Sequence, residues 1–143
     1  MNDRQRDLVR YSFAKLPRNP EAVGLLFYSL LFKIDPDLRP LFRGDLKRQS
    51  AVFVTMLSSA VENLDRLDLV LAAVQELGRR HAGYGVKDDD YDKVETALLL
   101  TLAQALGADF TAEVRQAWLV CYRSLASAMK QAAGERSAPA KAA

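Results

Sequence analysis

The chain has 143 residues but only one histidine, His81, and one cysteine, Cys121. A lone thiol forms no internal disulfide, so Cys121 reads as a small packed side chain in a reducing compartment. No run approaches the ~20 uninterrupted apolar residues of a membrane span. The polar start Met1-Asn2-Asp3-Arg4-Gln5-Arg6-Asp7 has no apolar stretch of signal-peptide kind behind it. The expected location is therefore cytoplasmic. Charge of one sign is also missing. Twenty basic and 18 acidic residues leave a net +2, with no basic run interleaved with aromatics, which argues against nucleic acid as a partner. Nowhere do apolar and polar residues alternate as in a half-buried strand, and no repeat of solenoid period occurs. With 50% apolar and 27% charged residues, the chain has the composition of one globular domain able to bury a core.

What is present is helical periodicity. From Asn2 to Leu16, the positions Leu8, Val9, Ser12, Phe13 and Leu16 share one face, and Pro17 ends the helix. Asn19-Pro20-Glu21 supplies an N-cap, a first-turn proline and a first-turn acid. The helix they open runs to about Ile34 and is apolar nearly all round, so it is expected to lie between others. Asp35-Pro36 repeats the device for a short turn through Leu38, ended by Pro40-Leu41-Phe42. A helix from about Lys47 to Leu64 carries Gln49, Val52, Phe53, Met56 and Ala60 on its expected inner face. Another spans Leu69 to His81. Asp88, Asp89 and Asp90 open the next as a solvated helix start, and Gly107 closes it. Thr111 caps a last helix through Met129. The expectation is an all-α fold of about seven helices over residues 1–133, with a frayed tail over 134–143.

His81 ends its helix just before Gly83 and Gly85, residues that accept left-handed backbone angles. Alone, it reads more readily as a charge interacting with the helix dipole than as a metal ligand pointing into the core. Its company favours the ligand. Gln49 is the long polar side chain on an apolar helix face, Tyr28 is a phenol in the most buried helix, and Phe42 is a large aromatic after a proline corner. Polar groups facing a helix-terminal histidine across a wall of Phe, Met, Val and Leu describe a slot for a flat apolar cofactor, and haem is the candidate.

Gly24-Leu25-Leu26-Phe27-Tyr28, Arg39-Pro40-Leu41-Phe42, Leu77-Gly78-Arg79-Arg80-His81 with Tyr84-Gly85-Val86, and Ala117-Trp118 with Tyr122 together resemble the globins. The likeness is to the bacterial single-domain, flavohaemoglobin-like type and, more distantly, the neuroglobins. It covers roughly residues 5–130 with the helices in globin order. The resemblance implies haem b (iron protoporphyrin IX) with His81 as the proximal iron ligand and Phe42 packed on the porphyrin. It places Tyr28 and Gln49 as the distal, functional pair, with Phe53 one turn past Gln49. It makes Gly24 the small residue at a close helix crossing, and it puts Val86, Tyr91, Val94 and Leu98 along the proximal side. The implied ligands are dioxygen, nitric oxide and carbon monoxide.

One histidine excludes a bis-histidine iron, so the sixth position is open, water-filled, or taken by Gln49, Tyr28 or an added ligand. A phenol and a carboxamide are donors suited to dioxygen, so tight binding and slow release are expected. In flavohaemoglobins a tyrosine and a glutamate are tied to the proximal histidine. Tyr91 matches the tyrosine, but no acid stands at 131–133, which argues for a weaker push on iron and against peroxidase-like chemistry. Arg79, Arg80, Lys47 and Lys87 stand equally as propionate partners or as surface charge. The sequence shows no flavin or nicotinamide segment, so oxidation of nitric oxide to nitrate, the enzymatic reading, would need an external reductase. A haem-based gas or redox sensor acting through a partner protein is the alternative. A haem-free helical interaction module is the third reading, and an imidazole facing the core argues against it.

Overall fold

A computed structural model describes residues 1–42, 44–66, 68–83 and 85–136. Within them the chain forms α1 (Asp3–Ala14), α2 (Pro20–Ile34), α3 (Leu46–Glu62), α4 (Asp68–Gly83), α5 (Asp88–Leu106) and α6 (Ala112–Arg136). Two 3₁₀ segments, Pro36–Leu41 and Gly107–Asp109, complete it. Among the described residues there is no strand, and no helix is long and apolar enough to cross a membrane. α6 continues through Gly134 to Arg136, and the rest of the expected tail, residues 137–143, lies outside the described residues.

The helix starts are those the capping residues dictate. Asn19 Oδ1 accepts from the Glu21 N–H at 3.1 Å, Asp35 Oδ1 from Asp37 at 3.0 Å, and Thr111 Oγ1 from Val114 at 3.2 Å. Each satisfies a backbone donor that has no partner within its own helix. One start differs from expectation. Asp88 and Asp89 are exposed, but Asp90 is buried, because its carboxylate turns back to accept the Lys87 N–H at 2.9 Å.

α2 lies at the centre, packed on α3 and α5, while α6 packs on α1 and α4. Gly24 lets α2 and α3 touch: a Cβ built there would fall 2.6 Å from the Ser50 Cα. Trp118, fully buried, donates from its indole N–H to Ser12 Oγ at 2.8 Å, and that hydroxyl donates to the Leu8 carbonyl at 2.6 Å. This relay leaves no indole donor unsatisfied where α1 crosses α6. Val52, expected on the inner face of α3, is 46% exposed. It stands about 100° round the helix from Phe53, beyond the edge of the buried stripe.

Cys121 is buried on α6, and burial pushes its thiol pKa up to about 11. Only the thiolate is nucleophilic, so the native chain should resist alkylation at pH 8 and label only on unfolding. Rapid labelling of the folded protein would show that Cys121 is accessible.

A candidate haem cavity

The end of α4 is built by its glycines. Gly85 has φ +93°; its N–H donates to the Ala82 carbonyl at 3.1 Å, and the Val86 N–H donates to the His81 carbonyl at 2.9 Å. Those two bonds make a Schellman close, which needs a residue tolerant of positive φ at this point. The turn directs Val86 back towards the interior. Three residues before His81, Gly78 brings α4 against α6: a Cβ there would press on the Met129 carbonyl and lie 2.6 Å from the Met129 Cα.

The imidazole is fixed by its own helix. Nδ1 lies 2.7 Å from the Leu77 carbonyl. A carbonyl only accepts, so Nδ1 carries the proton and Nε2 keeps its lone pair. Nε2 makes no hydrogen bond among the described residues. Burial lowers the His81 pKa, an effect that the bond to Leu77 opposes in part. The ring is accordingly in the neutral form that ligates metals.

His81 opens onto an apolar cavity of about 150 Å³ between α3, α4, α5 and α6. Phe53, Val86, Tyr91, Val94 and Leu98 line it. Met56, Leu57, Val74, Leu77, Leu125 and Met129 line it too, and nothing in their spacing separates them from ordinary core residues. A larger open cleft of about 510 Å³ lies between α1, α2 and α3, and it contains no histidine. Chemistry, not size, selects between the two.

Tyr28, Gln49 and Phe42 do not line the cavity; they adjoin it through Phe53. Phe53 stacks on Phe27 at 4.2 Å between ring centroids and stands edge-on to Tyr28 at 6.1 Å. Tyr28 in turn meets Phe42 at 5.1 Å. Phe42 is held at its corner by Arg39, whose guanidinium donates to the Phe42 carbonyl at 2.8 Å. Burial pushes the Tyr28 phenol above its ordinary pKa, and the neighbouring Gln49 side chain opposes that shift. The structure therefore brings Tyr28, Gln49, Phe42 and Phe53 into one cluster, and Phe53 shares the cavity lining with His81.

Tyr91 corrects one expectation. The Nδ1 of His81 is taken by Leu77, and the Tyr91 hydroxyl is buried with no hydrogen-bond partner among the described residues. Tyr91 is instead located by its backbone, whose carbonyl accepts from the Tyr122 hydroxyl at 2.8 Å. The Lys130 ammonium lies 5.5 Å from the centre of its ring. Of the basic residues near the site, Arg79 and Arg80 each lie 3.6 Å from Glu76, and Lys47 and Lys87 are exposed. Tyr84 lies outside the described residues.

Among the described residues, no three His, Cys, Asp or Glu side chains converge on a metal position. A metal on Nε2 of His81 would take its remaining ligands from a bound macrocycle. One free imidazole nitrogen aimed at a cavity of hydrocarbon and aromatic side chains fits haem.

Known proteins agree. The globin family model matches residues 25–129. Neuroglobin of Dissostichus mawsoni is 30% identical over 92% of this chain and 91% of its own length. Among solved structures, an engineered carbene transferase described as a putative nitric oxide dioxygenase from Rhodothermus marinus superposes with a TM-score of 0.88. It is 28% identical and covers 96% of both chains. A hexacoordinated haem protein from an anhydrobiotic tardigrade, 20% identical, shares the fold with a TM-score of 0.83, covering 93% of this chain and 95% of its own. With six α-helices among the described residues, a globin family model matched over residues 25–129 and a neuroglobin 30% identical over 92% of the chain, the chain belongs to the globin family.

Proposed function

We propose that this globin is of the bacterial single-domain, flavohaemoglobin-like type, that it works in the cytoplasm, and that it holds haem b through His81. It binds dioxygen reversibly, with Tyr28 and Gln49 as the donors facing the ligand. Given an external reductase, it oxidises nitric oxide to nitrate. The observation that carries this reading is the neutral imidazole with a free Nε2 on an apolar cavity, which Tyr28 adjoins through Phe53.

When bound, the haem supplies an iron that takes a diatomic gas and exchanges electrons. The chain does the rest. The Leu77 carbonyl holds the His81 ring in one tautomer, so that Nε2 is presented without reorganisation. Phe53, Val94 and Leu98 keep water from the cavity and lower the local dielectric. The raised pKa of Tyr28 keeps its hydroxyl protonated, and Gln49 offers a second donor. Both donors favour a ligand with negative charge on its outer atom. The structural likeness to a putative nitric oxide dioxygenase supports the enzymatic use.

Tyr28→Phe removes one donor and keeps the ring. Oxygen should leave the ferrous protein about tenfold faster, as loss of one hydrogen bond to a charged group implies. Stopped-flow displacement of oxygen by carbon monoxide measures the rate, and an unchanged rate would remove Tyr28 from its role. Sustained nitric oxide consumption over many turnovers with a reductase supplied separates the enzyme from a carrier.

A further inference from the structure

The Phe42 corner and the turn that follows His81 come from distant parts of the chain, and an ion-paired side chain joins them. Asp35 ends α2 and starts the 3₁₀ segment that leads to Phe42; its Oδ1 accepts the Asp37 N–H at 3.0 Å. Its Oδ2 lies 2.6 Å from Nζ of Lys93 on α5, 58 positions away. The same ammonium lies 3.3 Å from Asp90 Oδ1, and Asp90 Oδ2 accepts the Lys87 N–H at 2.9 Å. Lys87 directly follows Val86, the residue turned inward after His81. One ammonium thus links the start of the Phe42 corner to the turn that closes α4.

Two observations show that this link is more than a surface ion pair. The three side chains are sheltered, with 35% of Lys93, 19% of Asp35 and 11% of Asp90 exposed, so water and salt screen the contact less than at the open surface. The corners also meet independently, because a Cβ on Gly85 would lie 3.5 Å from Leu41 Cδ2, an ordinary packing distance. The ion pairs and this contact join the same two segments. Arg123 and Glu95, paired at 2.7 Å between α5 and α6, involve neither segment, and Arg123 is 65% exposed.

We infer that Lys93 is a positioning residue that clamps the Phe42 corner to the turn behind His81 and thereby sets how tightly the cofactor is held. The inference rests on the haem reading above. The clamp acts on retention because parting the Phe42 corner from the turn behind His81 would loosen the packing that encloses the cavity on that side. An ammonium with a carboxylate on each side opposes that separation.

The test uses the ferric holoprotein and follows haem transfer to an excess of a haem-free acceptor globin by absorbance. Lys93→Met keeps the apolar stem and removes the charge, and should speed haem loss about tenfold, the effect of one sheltered charge-assisted contact. Lys93→Arg should restore a rate near that of the unchanged protein. Asp35→Asn should speed loss as well, and the double variant should be no faster than Lys93→Met alone, because both substitutions break one contact. Arg123→Met is the control and should leave the rate alone. Haem loss unchanged in Lys93→Met, or raised equally in Arg123→Met, overturns the clamp while leaving the haem reading intact. An unchanged protein that takes up no haem at all overturns both.

Discussion

Replacing His81 by glycine should strip the chain of tightly held haem while leaving it folded. The two effects separate by size. Glycine in the last turn of α4 costs helix stability of about 1 kcal/mol or less, a small part of a typical folding free energy. Removal of an outer-shell partner alone weakens metal affinity about 10–100-fold, so loss of the ligating nitrogen should exceed about 100-fold. No other histidine exists to replace it, and no three metal-binding side chains converge elsewhere among the described residues. The variant should therefore purify colourless or nearly so, with a helical circular dichroism spectrum like that of the original. Added imidazole should restore part of the haem absorption, because the substitution leaves room where the ring stood. Full haem content in the variant would assign the iron to another ligand.

The second large effect is expected at Gly78. Alanine there gains about 1 kcal/mol of helix propensity but forces a methyl group onto the Met129 backbone, an overpacking cost of about 3 kcal/mol. Backbone cannot swing aside as a side-chain tip can, so α4 and α6 must part. The net loss of about 2 kcal/mol should lower the melting temperature by about 5 °C for a chain of this size. The same shift should carry His81, one turn further along α4, away from its place on the cavity, and should broaden or move the haem absorption bands. Gly134→Ala is the control, since nothing lies within 4 Å of a Cβ at that position. If thermal melting shows Gly78→Ala as stable as the original chain, the close crossing is not what positions α4.

The helices and their starts were legible because caps and prolines act locally. Asn19-Pro20, Asp35-Pro36 and Thr111 each begin a helical segment where their chemistry places it. The helix end at His81 was legible for the same reason, since Gly85 marks the turn. Features that depend on a partner helix were less so. Gly78 reads as an ordinary helical glycine until α6 lies 2.6 Å from its missing Cβ. Asp90 reads as one of three solvated acids until the Lys87 backbone and Lys93 claim it. Met56 and Met129 cannot be told from core by spacing, because core and cofactor cavity demand the same side chains. Tyr91 shows the limit of resemblance: the residue stands where a proximal partner for the histidine would, yet Leu77 already occupies the nitrogen it would bind.

We propose that His81 presents a free imidazole nitrogen to haem iron in the cavity between α3, α4, α5 and α6. Absorption spectra of the purified protein, in ferric, ferrous and carbon monoxide-treated states, test it most directly. A strong Soret band that shifts on reduction and again with carbon monoxide is the predicted result, and it would show haem iron that takes a diatomic gas. A colourless protein that takes up no added haem would contradict the account and leave a haem-free helical scaffold.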